Sequence, residues 1–221
     1  MRFLLTLYLL FGLSACSLFT NSSESATGYP AFANAPEGES WLYLVWNQGP
    51  DDAQPVDTGD SLRVTVMENS DQRLVLSERF LPKDNTPVIA TVTIFLKEDN
   101  QLVLDSPADQ TVFGFAALNA NRLPLGRIDS NRVTLTNFDE LKDQLTRGQK
   151  ETLVGYSDTP VRTLGHIYDN IHVYYTRRAV PLDGPAYIGL FSPQVGLLST
   201  TYFLTRSGVD SGLRLYAIQM P

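Results

Sequence analysis

Four aspartates, Asp51, Asp52, Asp57 and Asp60, fall within ten residues of a stretch that also holds Pro55 and Gly59. Carboxylate oxygens gathered on a loop are what a hard cation such as calcium takes as ligands. Their spacing departs from the EF-hand pattern, so the expectation is a solvated acidic loop with no metal. The two histidines, His166 and His172, flank Asp169 and Asn170. A two-residue loop there pairs His166 with Val173 and Ile167 with His172, which sends the imidazoles to opposite faces and forbids a shared metal, whereas a three-residue loop would set them opposite each other. Asp and Asn suit a type I′ turn, so the two-residue loop is expected. No dinucleotide glycine pattern, phosphate loop, helical His-Glu-His zinc motif or G-x-S-x-G elbow occurs. The motifs therefore name no catalytic residue, no metal and no cofactor. Carboxylate pairs of the glycosidase kind have no sequence spacing to find.

A further candidate comes from alternation. Along Ile171 to Arg178, His172, Tyr174, Thr176 and Arg178 share one face and Val173, Tyr175 and Arg177 the other. The first face is the more polar, so His172, Tyr174 and Arg178 are the candidate binding surface. Residues 151–221 hold seven of the ten Tyr and balance five acids with five Arg and no Lys, while residues 17–150 carry 19 acids against 11 bases. Tyr and Arg are enriched at binding surfaces, because rigid rings lose little entropy and guanidinium bonds in a plane. The net charge of −7 leaves no cationic surplus for a phosphate backbone, so nucleic acid is excluded as a partner. A single Cys excludes an internal disulfide framework.

The elements that must position these residues read as strands. Beyond Ser40 the hydrophobic pattern has period two, is rich in β-branched and aromatic residues, and is broken by Gly, Pro, Asn and Asp. The predicted strands are Trp41 to Asn47, Leu62 to Glu68, Arg73 to Phe80, Val88 to Lys97, Gln101 to Asp105, Thr111 to Ala116, Arg132 to Thr136, Thr152 to Tyr156, Ile171 to Arg178, Ala186 to Phe191, Leu198 to Arg206 and Leu213 to Gln219. Glu68 to Gln72 and Glu98 to Asn100 are hairpin signals. The fold class expected is mainly β, an antiparallel sandwich or small barrel-like sheets, with one short helix near 138–147. A capping box at Asn137 and Glu140 starts that helix, Phe138, Leu141 and Leu145 share its face, and Gly148 can end it. A seam between two sheet units is expected near 119–131.

At the N-terminus, Met1 and Arg2 precede an apolar run from Phe3 to Leu13, too short to span a bilayer, and the run ends in Leu13, Ser14, Ala15 and Cys16. This resembles the lipobox of bacterial lipoproteins, and it uses the only Cys of the chain. The resemblance implies a signal peptide over 1–15 and diacylglycerol on Cys16, usually with an amide-linked third chain such as palmitate. Ser17 in place of Asp after that Cys implies the outer membrane. One acyl chain anchors marginally and two or three anchor stably, so the membrane is the address through the N-terminal lipid. Residues 16–40, rich in Ser, Asn, Ala, Gly and Pro, read as the lipidated Cys and a flexible tether, and 41–221 as the globular body. A membrane-spanning barrel is set aside because many predicted strands are short and the chain ends in Met220 and Pro221.

SLRVTVMENS, LVLSERF and VIATVTIFLKEDNQLVLD, within Ser61 to Asp105, resemble the small β-sandwich lipoproteins related to secretion pilotins. Those proteins carry a further strand between the second and third of these runs, which this chain lacks, and no functional residue is carried over. The function expected is a non-enzymatic binding or assembly module of the cell envelope, facing the periplasm, with an envelope protein or glycan as partner. The alternatives are a small envelope hydrolase whose residues only the fold assembles, and a surface-exposed adhesin or inhibitor.

Overall fold

In strand after strand, side chains alternate between a buried and an open face. A computed structural model describes residues 31–84, 88–105, 114–117, 122–126, 153–157, 159–177, 186–203 and 210–221. Its strands are β1 (Ser40–Gln48), β2 (Val56–Asn69), β3 (Arg73–Leu81), β4 (Ile89–Glu98), β5 (Gln101–Leu104), β6 (Arg122–Pro124), β7 (Leu153–Ser157), β8 (Val161–Thr163), β9 (His166–Tyr168), β10 (Ile171–Arg177), β11 (Ala186–Ser192), β12 (Gly196–Phe203) and β13 (Asp210–Gln219). A 3-10 turn at Phe32–Asn34 and a helical turn, α1 (Gly114–Ala117), complete the elements. Among the described residues no helix is long and apolar enough to cross a membrane.

Eleven strands form one antiparallel sheet in the order β6-β5-β4-β3-β2-β1-β13-β12-β11-β10-β7, and β8 with β9 makes a separate hairpin. Nearly every neighbour in space is a neighbour in sequence. There are two exceptions: β10 pairs β7 across the intervening β8–β9 hairpin, and at the centre β1 pairs β13 from Ser40↔Gln219 to Gln48↔Asp210, joining the first strand to the last. The sheet thus consists of an N-terminal arm, β1 to β6, and a C-terminal arm, β7 and β10 to β13. A sheet this wide has to curl. Bulges at Leu42/Tyr43, Leu44/Trp46, Val66/Glu68 and Leu190/Phe191 supply the local bend and twist. The mainly β, antiparallel expectation holds, in its barrel-like form: the sheet is a half-barrel. One core of buried side chains fills it, drawing on both arms.

Turn chemistry explains the sharpest corners. Asp99 and Asn100 close the β4–β5 hairpin, with Glu98 opposite Gln101 and Asn100 left-handed at φ 54°. At β11–β12 a three-residue loop leads into Gly196 at φ +89°, where a Cβ would also approach Phe32 to 2.6 Å, so glycine is required there twice over.

The strands and turns depart from the sequence reading in several places. His166 and Val173 do not pair across a hairpin: the two-residue turn lies at Leu164–Gly165, with both residues left-handed, and sets Thr163 opposite His166. Asn170, also left-handed, redirects the chain into β10, whose partners are β7 and β11. The end of the expected strand Thr111 to Ala116 is α1 instead. Within 119–131, Arg122–Pro124 is a strand that pairs with β5 at the sheet edge. The packed chain begins before the compositional boundary at Ser40, because Phe32, Ala33 and Ala35 are buried in the core and Phe32 N–H donates to the Pro193 carbonyl. The strand at Arg132 to Thr136 and the helix near 138–147 lie outside the described residues.

Candidate functional site

The inner face of β3 reads Leu74, Leu76, Glu78, placing a carboxylic acid where the alternation demands an apolar side chain. Glu78 is 2 % exposed. Such a group is costly unless hydrogen-bonded, and both of its oxygens are. Thr93 Oγ1 on β4 donates to Oε1 at 2.5 Å, and Phe115 N–H of α1 donates to Oε2 at 3.2 Å. Burial nevertheless pushes its pKa up to about 7, with the two bonds pulling the other way. Gly114 is left-handed at φ +68°, and a Cβ there would overlap Glu78 Oε2, so only glycine lets the turn settle on the acid. Glu78 therefore fastens α1 to the inside of the curl. Glu39, buried just before β1, is likewise pushed up to about 7 by desolvation.

Around this clasp stand rings with polar tips. Phe32 is the hub, with centroids 5.3 Å from Trp41, 5.0 Å from Phe115 and 5.6 Å from Phe191. Phe191 in turn lies 6.0 Å from His172 and 6.4 Å from Tyr174. Trp41 Nε1, the Tyr43 and Tyr174 hydroxyls and both His172 nitrogens are buried without a hydrogen bond of normal geometry. Burial holds His172 down to about 4, with the Gly126 backbone pulling weakly upward, so the ring is neutral at pH 7. Burial raises Tyr43 and Tyr174, and the nearby Glu78 charge adds to the rise at Tyr43. These neutral donors and acceptors are packed among aromatic rings inside the core.

Of the sequence candidates, His172 and Tyr174 do share a face, but it is the inner one, where both are fully buried. They belong to the core and form no exterior surface. Arg178 and Cys16 lie outside the described residues. The acidic loop is consumed locally: Asp52 accepts from Gly49 N–H, Asp60 accepts from Lys83 N–H, and Asp57 takes both oxygens to Arg214 Nη2 at 2.7 and 2.5 Å. Among the described residues no three His, Cys, Asp or Glu side chains converge as a metal site. Sequence reasoning missed Glu78, Thr93 and Phe115. The available signal was the acid itself, on the apolar face of an otherwise regular strand.

No family profile and no curated protein matches the chain. Solved structures do. A Bacteroides fragilis protein assigned as exported, with a YmcC-like fold, superposes with a TM-score of 0.50 at 12 % identity, covering 86 % of this chain and 98 % of that one. A Parabacteroides distasonis protein assigned as a lipoprotein gives 0.50 at 14 % identity, covering 86 % and 99 %. At such identity the likeness shows a shared fold.

Proposed function

We propose that this chain is a lipid-anchored envelope protein, held at the outer membrane through Cys16 with its body facing the periplasm, and that the curled sheet is a non-enzymatic binding or assembly module. Its partner is another envelope protein or a glycan. The observation that carries the address is the lipobox Leu13 to Cys16 at the end of the apolar run. Two things support the non-catalytic part. Glu78 spends both oxygens on Thr93 and α1, and the interior rings present neutral groups. The fold shared with proteins assigned as exported and as a lipoprotein is consistent with the same setting.

Two experiments test it. Replacing Cys16→Ser should move the chain from the membrane fraction to the soluble fraction of lysed cells; unchanged cofractionation with membranes overturns the anchoring. Crosslinking in intact envelopes followed by mass spectrometry should recover one envelope component reproducibly. A purified chain that hydrolyses cell-wall glycan while crosslinking to nothing overturns the binding-module reading in favour of a hydrolase.

A further inference from the structure

The outer face of β3 to β5 carries a field of aliphatic side chains that no described element covers, bordered towards β2 by the exposed ion pair of Arg73 with Glu68. Val75 on β3 lies opposite Ile94 on β4, and Leu96 lies opposite Val103 on β5. Val92 is 56 % exposed and Leu96 37 %. On β10 and β11 of the C-terminal arm the face opposite the main core is closed over, since Val173 and Ile188 there are buried. The open field has charged ends of opposite sign. At one end Arg63 and Arg79 are directly opposite each other across β2 and β3, both exposed, and among the described residues neither meets a carboxylate. Like charges in that position are destabilising. At the other end sit Glu98, on the same face of β4, and Asp99 in the turn beyond it, both exposed.

The spacing of these ends is self-complementary. Ala90 lies opposite Arg79, and Glu98 follows eight residues along β4, roughly 26 Å at the rise of a strand. The midpoint is Ile94. A two-fold axis in the plane of the face, running across the strands through Ile94, sets the Arg63/Arg79 end of one copy against the Glu98/Asp99 end of another. It also seats Val92 against Leu96 of the second copy. An axis along the strands would instead oppose arginine to arginine. Two sheets pack face to face by interdigitating the side chains of their facing surfaces, and the field has none of the Trp that marks an interfacial lipid anchor.

We infer that this face joins two copies of the chain in an isologous sheet-on-sheet dimer about an axis at Ile94. A face of three short strand stretches is smaller than the roughly 800 Å² per partner of a standard interface, so the dimer is weak and reversible. The inference is independent of the lipid anchor.

Cys16→Ser leaves the chain without a thiol, which makes single-cysteine trapping possible. With Ile94→Cys added, mild oxidation should form disulfide dimers about tenfold faster than with Ile167→Cys on the β8–β9 hairpin, a difference of about 1.4 kcal/mol. Mixed Val92→Cys and Leu96→Cys chains should crosslink to each other in preference to themselves, which tests the direction of the axis without altering Ile94. Arg79→Glu should slow the trapping, and adding Glu98→Arg should restore it. Equal rates at Ile94→Cys and Ile167→Cys, or no preference in the mixture, overturn the inference. So does flotation of the Cys16→Ser chain with phosphatidylglycerol vesicles that Val92→Asp abolishes, a result that would assign the face to lipid.

Discussion

The two arms of the sheet use the same antiparallel meander to opposite ends. In the N-terminal arm the strands are one-sided: Leu74, Leu76 and Glu78 face the core while Arg73 and Arg79 face water. On β10 to β12 of the C-terminal arm consecutive residues are buried, as Tyr187 with Ile188 on β11 and Leu197 with Leu198 on β12, so both faces are covered there, whereas Arg214 and Tyr216 on β13 face water. The buried ionisable groups differ accordingly. Glu78 is held by two donors, whereas His172 has neither nitrogen properly bonded and stays neutral because it is enclosed. One arm therefore carries a hydrogen-bonded polar clasp on its inner face and is open on its outer one, while β10 to β12 of the other are enclosed on both faces. Among the described residues the open aliphatic face lies on the N-terminal arm, where Val92 and Leu96 are exposed.

The comparison holds only if the arms share one core, and Phe32 is where that can be broken. Its ring touches Trp41 and Phe115 on one side and Phe191 on the other. Phe32→Ala should cost about 3 to 5 kcal/mol, the usual range for a fully buried phenylalanine. Urea unfolding followed by Trp fluorescence and by far-UV circular dichroism should remain a single coincident transition at lower midpoint. Two separated transitions, or a loss below about 1 kcal/mol, would show that the arms are energetically distinct.

The clasp in the N-terminal arm gives a pH dependence whose sign is opposite to that of the usual carboxylate. The ordinary Glu value is 4.5 and burial raises Glu78 to about 7. Between those values the native chain keeps a proton that the unfolded chain has released, so stability falls as pH rises through this window and is flat above it. The full effect is about 3 kcal/mol at 1.36 kcal/mol per pKa unit. Glu78→Gln stays neutral and keeps an acceptor for Phe115 N–H, so it should stabilise the protein by about 2 to 3 kcal/mol at pH 8 and change little at pH 4.5. His172 acts in the other direction. Its native value of about 4 lies below the ordinary 6.5, so that group costs stability as pH falls from 6.5 towards 4. Urea midpoints at pH 5 and pH 8 for the two chains decide it; parallel pH curves would remove Glu78 as the cause.

The same contrast explains what could be read in advance. Where a strand has one wet face, alternation marks it nearly to the residue, as for Arg73 to Phe80 against the observed Arg73–Leu81. Period two says only that two faces differ, and the polarity of His172 and Tyr174 suggested the wet one. In an arm covered on both sides that inference fails, because large rings with small polar tips bury readily. Three-residue strands such as β6, β8 and β9 hold too few positions to show a period. The turn at Leu164–Gly165 was hidden because leucine rarely takes a left-handed conformation. Residues 31–39 look like tether by composition, since the small and polar residues around Phe32 mask the one ring that fills the core. Glu78 was legible in principle as an acid on an apolar face, but its partners come from β4 and from a turn 37 positions away, and sequence does not display that proximity.

The difference between covered and open faces can be sharpened with one substitution made twice. Val173 and Val92 both lie on the sheet face opposite the main core, the first 1 % exposed and the second 56 %. Valine to threonine keeps the shape and the β-branching and replaces a methyl by a hydroxyl. At Val173 the hydroxyl is taken out of water, which costs about 1 to 3 kcal/mol when no partner is in reach. At Val92 it is solvated, and the change should stay within about 0.5 kcal/mol in a dilute sample. Urea unfolding of Val173→Thr and Val92→Thr, measured side by side at low protein concentration so that self-association contributes nothing, checks this directly. Equal small losses would mean that the C-terminal arm admits water to its outer face and that the two arms are alike. A large loss at Val92 in the dilute chain would mean that its face is already closed within one copy, which would remove the open surface from which the dimer was inferred.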